Sequence, residues 1–115
     1  MRISFLFQLS NNNISKDYRR GFASIIKNAI YKADKQLYQI YYLGKHKIKP
    51  FTFSVYFSYS PEFKDNKFIV GDKAILNVST NDYRFASQLY NGMLSMYDIS
   101  YPIFENKITL KAIKL

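Results

Sequence analysis

Residues 2–30 read RISFLFQLSNNNISKDYRRGFASIIKNAI, and a change of period inside this stretch decides the fold. Ile3, Phe5, Phe7 and Leu9 recur every second residue, which predicts a half-buried strand over 2–9. Ser10-Asn11-Asn12-Asn13 is turn chemistry. From Tyr18 the apolar residues fall at Phe22, Ile25, Ile26, Ala29 and Ile30, one face of an α-helix. Ser15 is the expected N-cap, since its hydroxyl can accept from an early unpaired N–H. Arg19, Arg20 and Lys27 fall mostly off the apolar face.

Further along, Asp34 is expected to cap a short second helix with Leu37, Ile40 and Tyr41 on one side and Gly44 at its end. Lys45-His46-Lys47-Ile48-Lys49-Pro50 is too charged for a core element and reads as an exposed loop. Residues 51–59 are aromatic and β-branched and read as a strand, with 62–66 as a turn. Residues 67–70 and 74–79 are β-like around Gly71-Asp72, as two strands or one bent strand. Ser79-Thr80-Asn81-Asp82 resembles a capping box before a helix carrying Tyr83, Ala86, Leu89, Tyr90 and Met93. Gly92 costs that helix about 1 kcal/mol relative to Ala, which marks a place of close packing. Residues 101–104 form a short strand, Asn106-Lys107 a turn, and Ile108, Leu110, Ala112 or Ile113, and Leu115 a last strand. This order predicts an α+β fold: a single ferredoxin-like βαββαβ domain over 1–115, with an antiparallel sheet and its helices on one face.

Composition narrows the chemistry. The chain has 115 residues, 48% of them hydrophobic, enough for one domain with a core. Without cysteine, disulfides, thiol catalysis and Cys-ligated zinc are excluded, and one His excludes a multi-histidine metal centre. No cofactor is expected. The start of the chain lacks the apolar run of a signal peptide, and no run approaches a membrane span, so a cytoplasmic protein with no membrane partner is expected. The net charge is +9. Lys, Asn, Ile, Phe and Tyr all come from A/T-rich codons, but such a bias spreads lysine evenly. Here residues 1–50 hold ten basic and two acidic residues, and 51–115 hold seven and six. A positive field confined to one half favours a polyanion, nucleic acid above all.

His46 is the one side chain that ordinarily titrates near neutrality, and it lies among Lys45, Lys47 and Lys49. A His between lysines can move a proton near a phosphodiester, while the lysines neutralise charge developing on the phosphorane. The other reading is an ordinary surface His in a solvated charge run. Arg19 and Arg20 suit phosphate contacts or simple helix solubility. Tyr31, Tyr41, Tyr42, Tyr56 and Tyr59 can stack on RNA bases or serve the core. The eight acids are scattered, without D-x-D or E-x-x-H spacing, which disfavours two-metal phosphoryl transfer.

The strand at 2–9, Asp17-Tyr18-Arg19-Arg20 opening the helix, Lys49-Pro50-Phe51-Thr52-Phe53-Ser54 after a basic loop, and Asn91-Gly92-Met93-Leu94 in the second long helix together resemble the N-terminal half of Cas6. These are the CRISPR-associated endoribonucleases that process repeat RNA. The resemblance implies two ferredoxin-like domains in the full enzyme and cleavage without metal. A substrate 2′-hydroxyl attacks the adjacent phosphate, leaving a 2′,3′-cyclic phosphate and a 5′-hydroxyl. It implies His46, Tyr31 and Lys49 as catalytic residues; the positive charge of the first helix and the 45–49 loop makes Arg19, Arg20, Lys27, Lys45 and Lys47 the expected RNA contacts. Expected partners are CRISPR repeat RNA and a C-terminal domain or other CRISPR-associated proteins. Two departures stand out. Many members place the His nearer to where Tyr41–Gly44 stand, and a full Cas6 is about twice this length, with a Gly-rich loop in its second domain. A non-catalytic basic RNA-binding or scaffold module is the alternative.

Overall fold

The computed structural model describes residues 1–44, 49–58 and 60–115. Strand β1 (Arg2–Leu9) is the centre of a five-stranded antiparallel sheet. Its neighbours are β6 (Lys73–Thr80) and β8 (Asn106–Lys114), with β3 (Phe51–Phe57) outside β6 and β7 (Ser100–Ile103) outside β8. Helices α1 (Tyr18–Ala33) and α3 (Tyr83–Leu94) link these strands in the order β1-α1-β3-β6-α3-β8. The strand order β3-β6-β1-β8 is the ferredoxin-like arrangement, extended at one edge by β7. A second small sheet joins β2 (Asn13–Ser15), β5 (Lys67–Ile69) and β4 (Glu62–Lys64). Among the described residues no helix is long and apolar enough to cross a membrane.

The core follows the two periods read from residues 2–30. Ile3, Phe5, Phe7 and Leu9 point to one face of the sheet, where Phe22, Ile25, Ile26, Ala29 and Ile30 of α1 and Phe85, Leu89 and Met93 of α3 cover them. Each large side chain buried there contributes about 1.5–3 kcal/mol. The opposite face, with Tyr56 and Ile75, stays open. Gly92 lies where α3 crosses α1: a Cβ there would overlap the carbonyl of Ala29. Gly21 does the same for α1 on β7, where an added methyl would lie only 2.6 Å from Ile103 Cγ2.

Several local expectations are corrected. Asp17, not Ser15, precedes α1; Ser15 ends β2, and its Oγ accepts from Asp17 N at 3.1 Å in a turn. Residues 62–64 form a strand, and the turn contracts to Asp65-Asn66, both at positive φ, as a tight hairpin requires. Gly71-Asp72 separates two strands of different sheets. The last hairpin turns at Phe104-Glu105, and Asn106 already opens β8. The choice between Ala112 and Ile113 is decided by a bulge: Leu6 faces Ala112 and Phe7 faces Leu110, so Lys111 is the extra residue. Ile113 thereby comes opposite the inward-facing Phe5. Ile40 is exposed, because residues 39–43 wind as a π-helical turn and leave the α-helical phase.

Asp82 caps α3, its carboxylate accepting from Phe85 N at 3.1 Å and from Tyr41 Oη at 2.8 Å. These bonds, the backbone N–H first, hold its pKa below the ordinary 3.8. The stability they supply is complete above that value and is lost as pH falls through the lower, folded-state pKa. Asp82→Asn retains a capping side chain but cannot titrate. Its thermal midpoint, followed from neutral pH into acid, should fall less steeply than that of the wild type; parallel curves would show that Asp82 does not contribute to acid unfolding.

Candidate nucleic-acid interface

The chain reverses sharply after α1, and that reversal builds the site. Asp34 adopts extended backbone and caps α2 (Lys35–Tyr38), accepting from Leu37 N at 3.0 Å. Arg84 of α3 grips the same carboxylate, its Nε donating at 3.1 Å. The Leu37 N–H chiefly, assisted by Arg84, lowers the Asp34 pKa against some opposition from burial. With the turn so fixed, Tyr38 folds back against Tyr31, ring centroids 5.0 Å apart at 76°. The π-helical turn then lays Tyr42 on Tyr38, 5.3 Å apart and nearly parallel at 21°.

Cations surround this ladder of three rings. Lys49 Nζ sits 4.3 Å from the Tyr42 centroid and donates to the carbonyl oxygen of Tyr41. That carbonyl belongs to the last turn of a helical segment, where the chain itself supplies few donors. Lys27 Nζ lies 5.7 Å from the Tyr42 ring, and Lys35 Nζ 5.5 Å from the Tyr31 ring. The carboxylates paired in this region and beyond take Arg84, Lys67 and Lys111. Among the described residues Lys27, Lys35 and Lys49 have no carboxylate partner, so their charge is available to an anion. Cation–π contacts hold the exposed Lys27 and Lys35 loosely, at about 0.5–1 kcal/mol each, whereas Lys49 is held by the Tyr41 carbonyl as well. Burial, with a smaller effect of nearby Tyr38, pushes the Tyr42 phenol up to about 12. Tyr42 therefore keeps its proton, packed between Tyr38 and the Lys49 ammonium. Tyr31, by contrast, is 45% exposed. Lys49 also lines a polar cavity of about 620 Å³ with Arg2, Thr52 and Asn81 at the end of the sheet.

Four of the residues singled out from the sequence thus meet along the ladder: Lys27, Tyr31, Tyr42 and Lys49. His46, Lys45, Lys47 and Tyr59 lie outside the described residues. Arg19 is placed elsewhere, its guanidinium 4.6 Å from the Phe53 ring centroid and its Nη2 donating to the Phe53 carbonyl at 3.4 Å. Arg20 is exposed on the same helix. Tyr41 is bound to Asp82, and Tyr56 stands on the open sheet face away from the ladder. Tyr38 and Lys35 carry no signal in the sequence that marks them for this site. Their contribution depends on the reversal at Asp34, which no periodicity spans.

No protein-family model and no curated protein matches this sequence. Solved structures do. One described as a RAMP protein binding different RNA substrates superposes with a TM-score of 0.79 at 15% identity, covering 99% of this chain and 47% of its own. A Cas6-related protein from Pyrococcus furiosus gives 0.79 at 18% identity, covering 99% and 46%. A CRISPR-associated Cas6 protein gives 0.68 at 25% identity, covering 99% and 47%. The chain has a Cas6-like fold. It spans about half the length of the Cas6 and RAMP structures it matches. In this Cas6-like frame the tyrosine ladder lies where the first helix runs out and the chain returns to β3.

Proposed function

We propose that this chain is the N-terminal ferredoxin-like domain of a two-domain, Cas6-type endoribonuclease that cleaves CRISPR repeat RNA without metal. The observation that carries the reading is the convergence of Lys27, Tyr31 and Lys49, the two lysines unpaired with acids among the described residues, on a fold shared with Cas6 and RAMP proteins. RNA is the partner whose phosphates match those charges and whose unpaired bases match the exposed ring of Tyr31.

The reaction needs three things from the protein. A proton must leave the attacking 2′-hydroxyl, and one must reach the departing 5′-oxygen; His46 suits that exchange, since its imidazole can hold or release a proton near neutrality. Negative charge grows on the phosphorane oxygens, and Lys49, anchored by the Tyr41 carbonyl, supplies a fixed positive charge. Tyr31 supplies a hydroxyl that can orient the phosphate. The products are a 2′,3′-cyclic phosphate and a 5′-hydroxyl.

The decisive experiment joins the domain to its second half and incubates it with end-labelled repeat RNA in EDTA. Cleavage at one position with a cyclic phosphate end is expected. Binding without cleavage would leave the scaffold-module reading in its place. For the 115-residue domain alone, affinity for single-stranded RNA should fall steeply with salt. The expected log–log slope is about −2 if three lysines each neutralise a phosphate, and salt-independent binding would remove the phosphate contacts from the account.

A further inference from the structure

A cavity of about 330 Å³ opens beside Tyr31, between the exposed side of α1 and edge strand β7. Its walls are Ser24, Lys27, Asn28, Tyr31, Tyr38 and Tyr101. We propose that this cavity is a subsite for one unpaired nucleobase next to the cleaved bond. The inference rests on the RNA reading above and adds to it a base-binding pocket and a new residue, Tyr101.

Four features support it. The volume is at the small end for ligand pockets, roughly 300–1,000 Å³, which suits one flat ring and not a helix. Three walls are aromatic, and stacking on such rings is the sequence-tolerant way proteins hold single-stranded bases. The polar groups suit a base edge. Ser24 Oγ and Tyr101 Oη lie 2.9 Å apart and share one hydrogen bond, which leaves a second hydroxyl proton and further lone pairs to offer. Asn28 spends its amide N–H on the thioether of Met96 at 3.5 Å, a weak acceptor that a base can replace at small cost. Finally, Lys27 stands at the wall with no carboxylate partner among the described residues, placed for the phosphate of the same nucleotide. An apolar peptide in this place would bury that ammonium unpaired, which is costly.

The cavity is also held at a set width. Gly21 lets Ile103 of β7 approach α1 closely, and β7 is fixed along β8 through Tyr101↔Ile108. Tyr101 therefore stands opposite Ser24 on two rigid elements, without a loop between them.

The test uses fluorescein-labelled single-stranded RNA homopolymers of A, C, G and U, with binding read by anisotropy at several salt concentrations. Tyr101→Ala should weaken the preferred homopolymer about 5- to 100-fold, the range for losing one stacked base. The salt slope should not change, because no phosphate contact is lost. Tyr101→Phe keeps the ring and should retain most of the affinity while narrowing the preference among the four polymers. Lys27→Ala should reduce the slope. Photocrosslinking of the unaltered protein to thiouridine-containing RNA needs no variant and should label Tyr31, Tyr38 or Tyr101. If Lys27→Ala weakens binding while Tyr101→Ala binds every polymer as the wild type does, with no crosslink in the cavity, the RNA reading stands and the subsite is wrong. If the unaltered protein binds none of the polymers, both fall together.

Discussion

Exchange of His46 for alanine is expected to slow cleavage of a repeat RNA about 10²- to 10⁴-fold, the range a positioned proton-transfer group contributes. Binding should change little, since one side chain that is neutral above its ordinary pKa adds little to the affinity of a chain of net charge +9 for a polyanion. The companion variant Lys49→Ala removes the charge proposed to stabilise the phosphorane, with an expected loss of about 10²- to 10³-fold. Lys49 sits three residues after His46, and its ammonium is anchored at the Tyr41 carbonyl and against the Tyr42 ring. Anchoring matters because a catalytic charge acts best when it needs no reorganisation as the reaction proceeds. Single-turnover rates in the proposed two-domain protein decide the question. An unchanged rate in the His46 variant would falsify its role in proton transfer and shift attention to Tyr31.

The second large effect concerns stability. An alanine at Gly92 would ordinarily strengthen a helix by about 1 kcal/mol. Here the sign should reverse. The added methyl would overlap the main-chain carbonyl of Ala29, and backbone in the middle of a helix cannot step aside as a flexible side chain can. Relief requires α1 and α3 to separate, which loosens Ile26, Ile30, Leu89 and Met93 together. We expect a net loss of about 3 kcal/mol, the upper part of the usual overpacking range. That corresponds to a fall in the thermal midpoint of roughly 10–20 °C. A midpoint equal to or above that of the wild type would mean that the helices do not cross at this point.

The central strand and the two long helices were legible because each carries an unbroken period over seven or more residues. Ile3, Phe5, Phe7 and Leu9 alternate, and Phe22 to Ile30 recur at helical spacing; burial follows both patterns. Gly92 was legible for another reason: a poor helix former inside a strong helical pattern needs a packing explanation. What escaped was short or out of phase. Strand β2 is three residues beside a run of Asn, and β4 is exposed along its length, so neither shows alternation. The bulge at Lys111 moves the last strand's apolar positions by one, which is why periodicity alone does not separate Ala112 from Ile113. The candidate site divides in the same way. Tyr31 and Lys49 came from the resemblance, and Lys27 from its place off the apolar face. Tyr38 and Tyr101 come to Tyr31 through a reversal at Asp34 and through an edge strand 70 residues downstream of that helix end. Composition offers 11 tyrosines and nothing to choose among them.

The place of β1 has a consequence for the order in which the domain is made. Strand β1, which precedes the sheet's other strands in sequence, occupies the middle of the sheet, and both of its neighbours, β6 and β8, come much later in the chain. On the ribosome, residues 2–9 must wait unpaired until residue 73 and beyond emerge, and one of their edges stays open until 106–114 follow. Long-range pairings of this kind are slow to form, and waiting apolar strands are prone to aggregate. During that wait α1 can already lie over Phe5 and Phe7, so the amphipathic helix that follows β1 directly also shields the nascent strand until its partners arrive.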